Sequence, residues 1–159
     1  MIQGVHHVAV STRDIEALAK FYVNNFGFEV VLESGWEQGN PETDAIVGLK
    51  NSAAQMKMIR AGNMYIELFQ YSNPVGKPVP ENRPAADHGY THFCLYLTDI
   101  DAEYARLSKV MTFHSPPVQR TGRPYRATYG RDPEGNIIEL LEVLDHAHPF
   151  SLKNVALGS

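Results

Sequence analysis

The chain contains itself twice. H7-V-A-V-S-T-R-D14-I-E-A-L-A-K-F-Y lies over H92-F-C-L-Y-L-T-D99-I-D-A-E-Y-A-R-L without a gap, and M64-Y-I-E67-L-F-Q-Y lies over N136-I-I-E139-L-L-E-V. Each copy opens with a histidine in an apolar run and meets Asp-Ile seven residues later. Each closes on a glutamate set among aliphatic residues. A repeat restricts the fold more than composition does, because both copies must build the same supersecondary unit.

Periodicity says what that unit is. Ile15, Leu18, Ala19, Tyr22 and Phe26 follow the spacing of an amphipathic helix, with Asp14 as N-cap and Gly27 as its C-terminal stop. Ile100, Tyr104, Leu107 and Met111 repeat the pattern after Asp99. Strands are expected over Phe28 to Trp36, Gln55 to Arg60, Asn63 to Tyr71, Met111 to Arg120, Arg123 to Arg131 and Asn136 to Leu144, with turns at A-G-N and D-P-E-G-N. Each half therefore reads as strand, helix, three strands, an α+β pattern. His7 to Glu67 spans 60 positions and His92 to Glu139 spans 47, so the first half carries about 13 more. These are expected in the polar stretch E37-Q-G-N-P-E-T-D44 and the residues just after it. The expected organisation is one domain over 1–145, made of modules 1–71 and 88–145 joined by a proline-rich linker, 72–87, with a C-terminal tail, 146–159.

Composition narrows the function classes. With 43% hydrophobic residues and no apolar run near ~18 residues, the chain reads as globular with no membrane span. A formal net charge of −4 argues against nucleic-acid binding, which needs a basic excess. A single cysteine, Cys94, excludes an intramolecular disulfide and a thiolate zinc cluster, and is expected to be a small buried hydrophobe. The N-terminus lacks the basic start and apolar stretch of a signal peptide, so a cytoplasmic location is expected.

The two glutamates demand an account, since a carboxylate in an apolar strand is costly unless paired, protonated or bound to a cation. Alternation groups Glu67 with Tyr65 and Phe69, Glu139 with Ile137 and Leu141, His7 with Val5 and Ala9, and His92 with Tyr90 and Cys94. If both sheets curl around one axis, His7, Glu67, His92 and Glu139 converge. His6 falls outside the set, because its counterpart is Thr91. Two neutral imidazoles and two carboxylates suit a divalent ion and neutralise its charge.

H7-V-A-V-S-T-R-D-I, Y22-V-N-N-F-G27-F-E-V, I66-E67-L, G89-Y-T-H92 and D132-P-E-G-N136-I-I-E139-L together resemble the vicinal oxygen chelate superfamily, across about residues 2 to 145. That superfamily includes glyoxalase I, methylmalonyl-CoA epimerase, extradiol dioxygenases and bleomycin- and fosfomycin-resistance proteins. The resemblance implies paired βαβββ modules in a cupped, partly open mixed β-barrel, one divalent ion per chain (Zn, Ni, Co, Mn or Fe), and a homodimer. By position, His7, Glu67, His92 and Glu139 match the family's metal ligands. Their order is similar to bacterial glyoxalase I, whereas epimerases often carry Gln at the position of Glu67.

The chemistry expected of such a site is Lewis-acid stabilisation of charge beside a deprotonated C–H, with Glu67 and Glu139 as proton-shuttle residues acting on a small hydroxy-carbonyl or thioester substrate. Two alternatives stay open: an Fe(II) extradiol-type dioxygenase, and a non-catalytic drug-binding resistance protein. Trp36, Met58, Tyr65 and Tyr129 are candidates for a substrate pocket, or are core. Arg123, in the cluster Arg120, Arg123, Arg126 and Arg131, is a candidate anion holder, or part of a solvated edge hairpin.

Overall fold

The computed structural model describes residues 1–80 and 82–154; Glu81 of the linker and residues 155–159 of the tail lie outside the described residues. The chain divides into two compact units, Met1–Pro78 and Val79 onward, the boundary falling in the proline-rich stretch.

In the first unit, β1 (His7–Ser11), α1 (Ile15–Phe26), β2 (Glu29–Trp36), α2 (Pro41–Val47), β3 (Ala53–Ala61) and β4 (Met64–Asn73) form a four-stranded sheet of order β1-β4-β3-β2. The first strand runs parallel to the last, pairing His7 with Tyr65 and Ala9 with Glu67. The other pairs are antiparallel. Asp14 caps α1 by accepting from the Ala17 N–H, and Gly27 ends it at φ 70°, a left-handed conformation cheap only for glycine. The buried stripe Ile15, Leu18, Ala19 and Tyr22 follows the predicted spacing, with Phe21 added and Phe26, at the helix end, only half-buried. Gln70 Oε1 accepts from the Ile15 N–H at 2.8 Å, tying the start of the helix to β4.

That helix divides the sheet's two faces by chemistry. Ile59, Ile66 and Leu68 are fully buried on one face, while Glu67, Phe69 and Met58 alternate onto the other. The charged exception on the buried face is Lys57, 7% exposed, which bridges Glu16 of α1 at 2.9 Å and Glu33 of β2 at 3.1 Å. Hydrogen bonding to Glu16 outweighs the opposing effect of desolvation, so the ammonium is held above its ordinary pKa.

The second unit repeats the plan. β5 (His92–Tyr96), α3 (Ile100–Leu107), β6 (Thr112–Phe113), β7 (Val118–Gln119), β8 (Tyr125–Arg131) and β9 (Ile137–Val143) give the order β5-β9-β8-β6, with β7 also on β8. Again the first and last strands are parallel, His92 opposite Ile137 and Cys94 opposite Glu139. Register equivalence with the first unit is complete at these positions. The turn D132-P-E-G-N136 sets it: Asp132 Oδ1 accepts from the N–H groups of Glu134 and Asn136, and its Oδ2 from the Asn136 side chain, all at 2.9 Å.

Two expected elements differ. The stretch Met111 to Arg120 is not one strand but β6 and β7, separated by Ser115-Pro116-Pro117, where proline cannot supply ladder N–H groups. The extra polar residues of the first half form α2, capped by Asn40 with Pro41 at its first turn. Asp44 of this helix accepts from the Ser52 backbone at 2.8 Å and from its hydroxyl at 2.6 Å, and Ser52 accepts from Trp36 Nε1 at 2.9 Å. The Ser52 hydroxyl, first among several donors, lowers the Asp44 pKa. Helix α2 thus braces Trp36, the chain's single tryptophan.

Gly35, next to Trp36, allows the β2–β3 approach: a Cβ there would stand 2.6 Å from the Ala54 carbonyl oxygen. Backbone on both sides cannot yield cheaply. The Gly35→Ala variant is expected to lose roughly 1–3 kcal/mol in urea unfolding and to shift the fluorescence of Trp36. Unfolding at the wild-type midpoint would show that the strand pair has slack.

Candidate metal and proton-transfer site

In each unit, a histidine at the start of the first strand meets the glutamate of the last. His7 Nε2 lies 3.2 Å from Glu67 Oε2, and His92 Nε2 lies 3.1 Å from Glu139 Oε2. Both glutamates are 19% exposed at the side chain, on the sheet face turned away from the helix. Neighbouring ligands bound at right angles about 2.1 Å from a divalent ion stand about 3.0 Å apart, so each His–Glu pair has the separation of two cis ligands. Among the described residues, no group of three or more His, Cys, Asp or Glu side chains is placed to hold a metal. Each unit on its own is a two-donor half-site, chemically suited to a divalent ion.

The other ring nitrogen of each histidine is also engaged. Thr91 Oγ1 lies 2.8 Å from His92 Nδ1, and His6 Nδ1 lies 2.9 Å from His7 Nδ1. His6 precedes β1, so strand alternation does not turn it to the opposite face. Its ring stacks on Tyr65 at 4.7 Å with planes 5° apart. His6 is thus outside the His–Glu pair itself, as its repeat relation to Thr91 predicts, and contacts it through the far nitrogen of His7. That relation is the signal the sequence offers.

Several predicted pocket residues share these faces. Met58 pairs with Glu67 and Tyr65 with His7, while Trp36 packs edge-on against Phe69 and Tyr71 at 5.9 and 5.8 Å. Tyr129 pairs with Glu139 and packs on the His92 ring at 4.7 Å. Burial, then the Glu139 carboxylate, raises the Tyr129 phenol; burial, then Glu67, does the same for Tyr71. Arg123 is different: it is exposed in the turn before β8, its N–H donating to the Arg120 carbonyl at 3.0 Å. Two other arginines of the cluster have structural partners. Arg126 is paired with Asp101 of α3 at 2.6 and 2.7 Å, and Arg131 donates to the carbonyls of Gly135 and Arg83. His148 and Phe150 of the tail pack on Tyr125, and Ser151 is fully buried within reach of the Tyr96 hydroxyl at 3.4 Å.

Cys94 is exposed on the face with Glu139, contrary to the expectation of a buried hydrophobe. Strand alternation puts it on the helix-free face, which sequence hydrophobicity cannot reveal. The residue is exposed as a whole but its sulfur is shielded by its neighbours; that shielding, then the Glu139 charge and the hydrogen bond to it, push the thiol up to about 12.

This arrangement, two units each presenting a His–Glu pair from parallel first and last strands, defines a class of paired-module α+β folds. The chain belongs to the Glyoxalase/Bleomycin resistance protein/Dioxygenase superfamily, matched over residues 4–140. It is 30% identical to an ethylmalonyl-CoA/methylmalonyl-CoA epimerase of Cereibacter sphaeroides, over 90% of this chain and all of that one. It is 27% identical to a 2-epi-5-epi-valiolone epimerase of Actinomyces sp, over 88% of this chain and 79% of that one. Among solved structures, a glyoxalase family protein from Bacillus cereus superposes with a TM-score of 0.79 at 22% identity, covering 91% and 97% of the two chains. A fosfomycin resistance protein from Listeria monocytogenes, complexed with Mn(II) and sulfate, gives 0.60 at 16% identity, covering 89% and 93%. No helix among the described residues is long and apolar enough to cross a membrane.

The Cys94 environment has a direct consequence. A free thiol ionises near pH 8.5 and reacts as its thiolate, so a thiol raised to about 12 stays protonated at neutral pH. In metal-free protein, iodoacetamide is expected to label Cys94 slowly at about pH 8 and progressively faster toward pH 11. Rapid labelling at about pH 7.5 would show that the carboxylate does not hold the proton on sulfur.

Proposed function

We propose that the chain is a divalent-metal-dependent enzyme that moves a proton at the carbon beside a carbonyl, an epimerase or glyoxalase I-like isomerase or lyase. The observation that carries the reading is the recurrence of one His–Glu pair at the same register position in both units. His7, Glu67, His92 and Glu139 would together hold one ion per chain, within one chain or between two chains of a homodimer. Similarity to two epimerases over 88 to 90% of this chain supports proton transfer over oxygen insertion.

Held by His7, Glu67, His92 and Glu139, a divalent ion would supply Lewis acidity that lowers the cost of deprotonating the C–H beside the substrate carbonyl. The chain's own residues do the rest. One of the two glutamates accepts the proton from that carbon, and the other returns one to the opposite face, so the net change is an inversion with no oxidant consumed. His7 and His92 would give the ion their ring nitrogens. Met58, Phe69, Tyr71 and Trp36 give the first unit an apolar, aromatic surface beside Glu67, which would cover the non-reacting part of the substrate and keep bulk water from the carbanion. Coenzyme A thioesters with a branched α-carbon are the first substrates to try, and thiol hemithioacetals the second.

Metal-stripped protein titrated with Mn(II), Co(II), Ni(II) or Zn(II) is expected to take up one ion per chain, and His7→Ala and His92→Ala to lose most of the affinity. Undiminished binding by both would refute this ligand set. In heavy water, the metal-loaded enzyme with methylmalonyl-CoA or ethylmalonyl-CoA is expected to wash deuterium into the α-carbon; oxygen uptake with ring cleavage of a catechol would instead establish the dioxygenase reading.

With metal occupancy verified, Glu67→Gln and Glu139→Gln are each expected to lower kcat by ~10²-fold or more while changing KM little, because the missing base acts in the transition state. Near-normal turnover in both would exclude the carboxylates as proton carriers.

A further inference from the structure

The residue before each histidine has a job in common, although the two side chains have nothing in common chemically. His6 contacts His7 Nδ1 at 2.9 Å and Thr91 contacts His92 Nδ1 at 2.8 Å, while Nε2 of both histidines faces a glutamate at 3.1 to 3.2 Å. These positions are equivalent in the internal repeat, so the same contact has been kept through a change from imidazole to hydroxyl.

We propose that His6 and Thr91 are positioning residues that fix the ring orientation and tautomer of His7 and His92, so that Nε2 is presented to a divalent cation. The inference rests on the metal-site reading under Proposed function.

The chemistry sets a narrow requirement on such a partner. Without metal, a neutral histidine bonded to glutamate through Nε2–H has a bare Nδ1, which must accept a hydrogen bond. With Nε2 given to a cation, the proton resides on Nδ1, which must donate. A partner useful in both states has to donate in one and accept in the other. Threonine does so by rotating its hydroxyl, and a neutral histidine by exchanging tautomers. An aliphatic residue can do neither, and a protonated lysine can only donate. Stacking on Tyr65 holds the His6 ring in place, and Tyr65 is itself anchored opposite His7 in the ladder. Partners of this kind commonly contribute 10- to 100-fold in metal affinity.

The test is titration of metal-stripped protein with cobalt(II) chloride, read by chelator competition for affinity and by the visible ligand-field spectrum for coordination. Thr91→Val and His6→Phe are the informative variants. The first keeps the threonine shape without the hydroxyl, and the second keeps a ring against Tyr65 without a nitrogen. Each is expected to lower Co(II) affinity about 10- to 100-fold, with one ion per chain retained and the spectrum altered. Thr91→Ser and His6→Thr are expected to restore most of the loss, the latter by placing in the first half the residue type the second half uses. Matching thermal unfolding of the metal-free variants and wild type shows that the effect is on ligation rather than folding. Wild-type affinity and spectrum in both Thr91→Val and His6→Phe would overturn the inference and leave the metal site standing. A wild-type protein that takes up no cobalt would overturn the metal site and the inference together.

Discussion

Everything at the candidate site depends on the parallel hydrogen bonding of the first strand of each unit to its last. Strands in a sheet lie about 4.8 Å apart and rise about 3.3 Å per residue, so side chains two positions out of register start roughly 8 Å apart. Histidine and glutamate are long enough to close that distance, and they do, to 3.2 Å in one unit and 3.1 Å in the other. A one-residue slip would send one partner to the helix face and abolish the pair. The parallel ladder therefore fixes the two His–Glu pairs as well as the fold, and it needs the helical crossover that α1 and α3 provide.

The crossover helix also decides where a carboxylate is tolerable. It covers one face of its sheet, where Ile66 and Leu68 or Ile138 and Leu140 are fully buried, and the alternating residues Glu67 and Glu139 emerge on the other. A single strand thus carries dry core and polar chemistry side by side with period two. Lys57 and Arg126 show what a charge on the helix face requires. Lys57 has Glu16 and Glu33, and Arg126 has Asp101 with Glu142 at 3.9 Å.

The repeat makes this architecture legible from sequence, because equivalence of His7 with His92 and Glu67 with Glu139 selects four residues that no single motif would. Helix α1 is readable from its stripe and caps. What the sequence conceals lies where local geometry overrides pattern. The run from Met111 to Arg120 has strand-like residues, yet Pro116 and Pro117 withhold two ladder donors and break it. The polar insertion after Trp36 reads as loop until Asn40, Pro41 and Gly48 are weighed together as cap, first turn and stop. The contact of His6 with the His7 ring is likewise hidden, because His6 stands one residue short of where β1 begins and alternation does not say where its ring goes. Arg123 looks like one of a cluster, but the clustering is along the chain: Arg126 has a partner on α3, whereas Arg123 stays in the turn.

Duplication gives two copies of a donor pair, but inversion at a carbon asks the two copies for different things, since one takes a proton while the other gives one. The copies differ where that division would be made. Opposite Glu67 in the parallel ladder stands Ala9, which offers no donor; opposite Glu139 stands Cys94, whose thiol stays protonated and bonds the carboxylate. On the antiparallel side Glu67 faces the thioether of Met58, and Glu139 faces the phenol of Tyr129, also held in its protonated form by its surroundings. Along the ladder Glu139 therefore has two protonated neighbours and Glu67 has none, although the Tyr71 phenol lies close enough to feel the Glu67 charge. A donor beside a carboxylate ties its orientation, which suits a group that remains in place; fewer ladder donors leave more freedom to swing. Under the proposed reading, the chain's departure from its own symmetry would leave Glu139 the more firmly held of the two carboxylates.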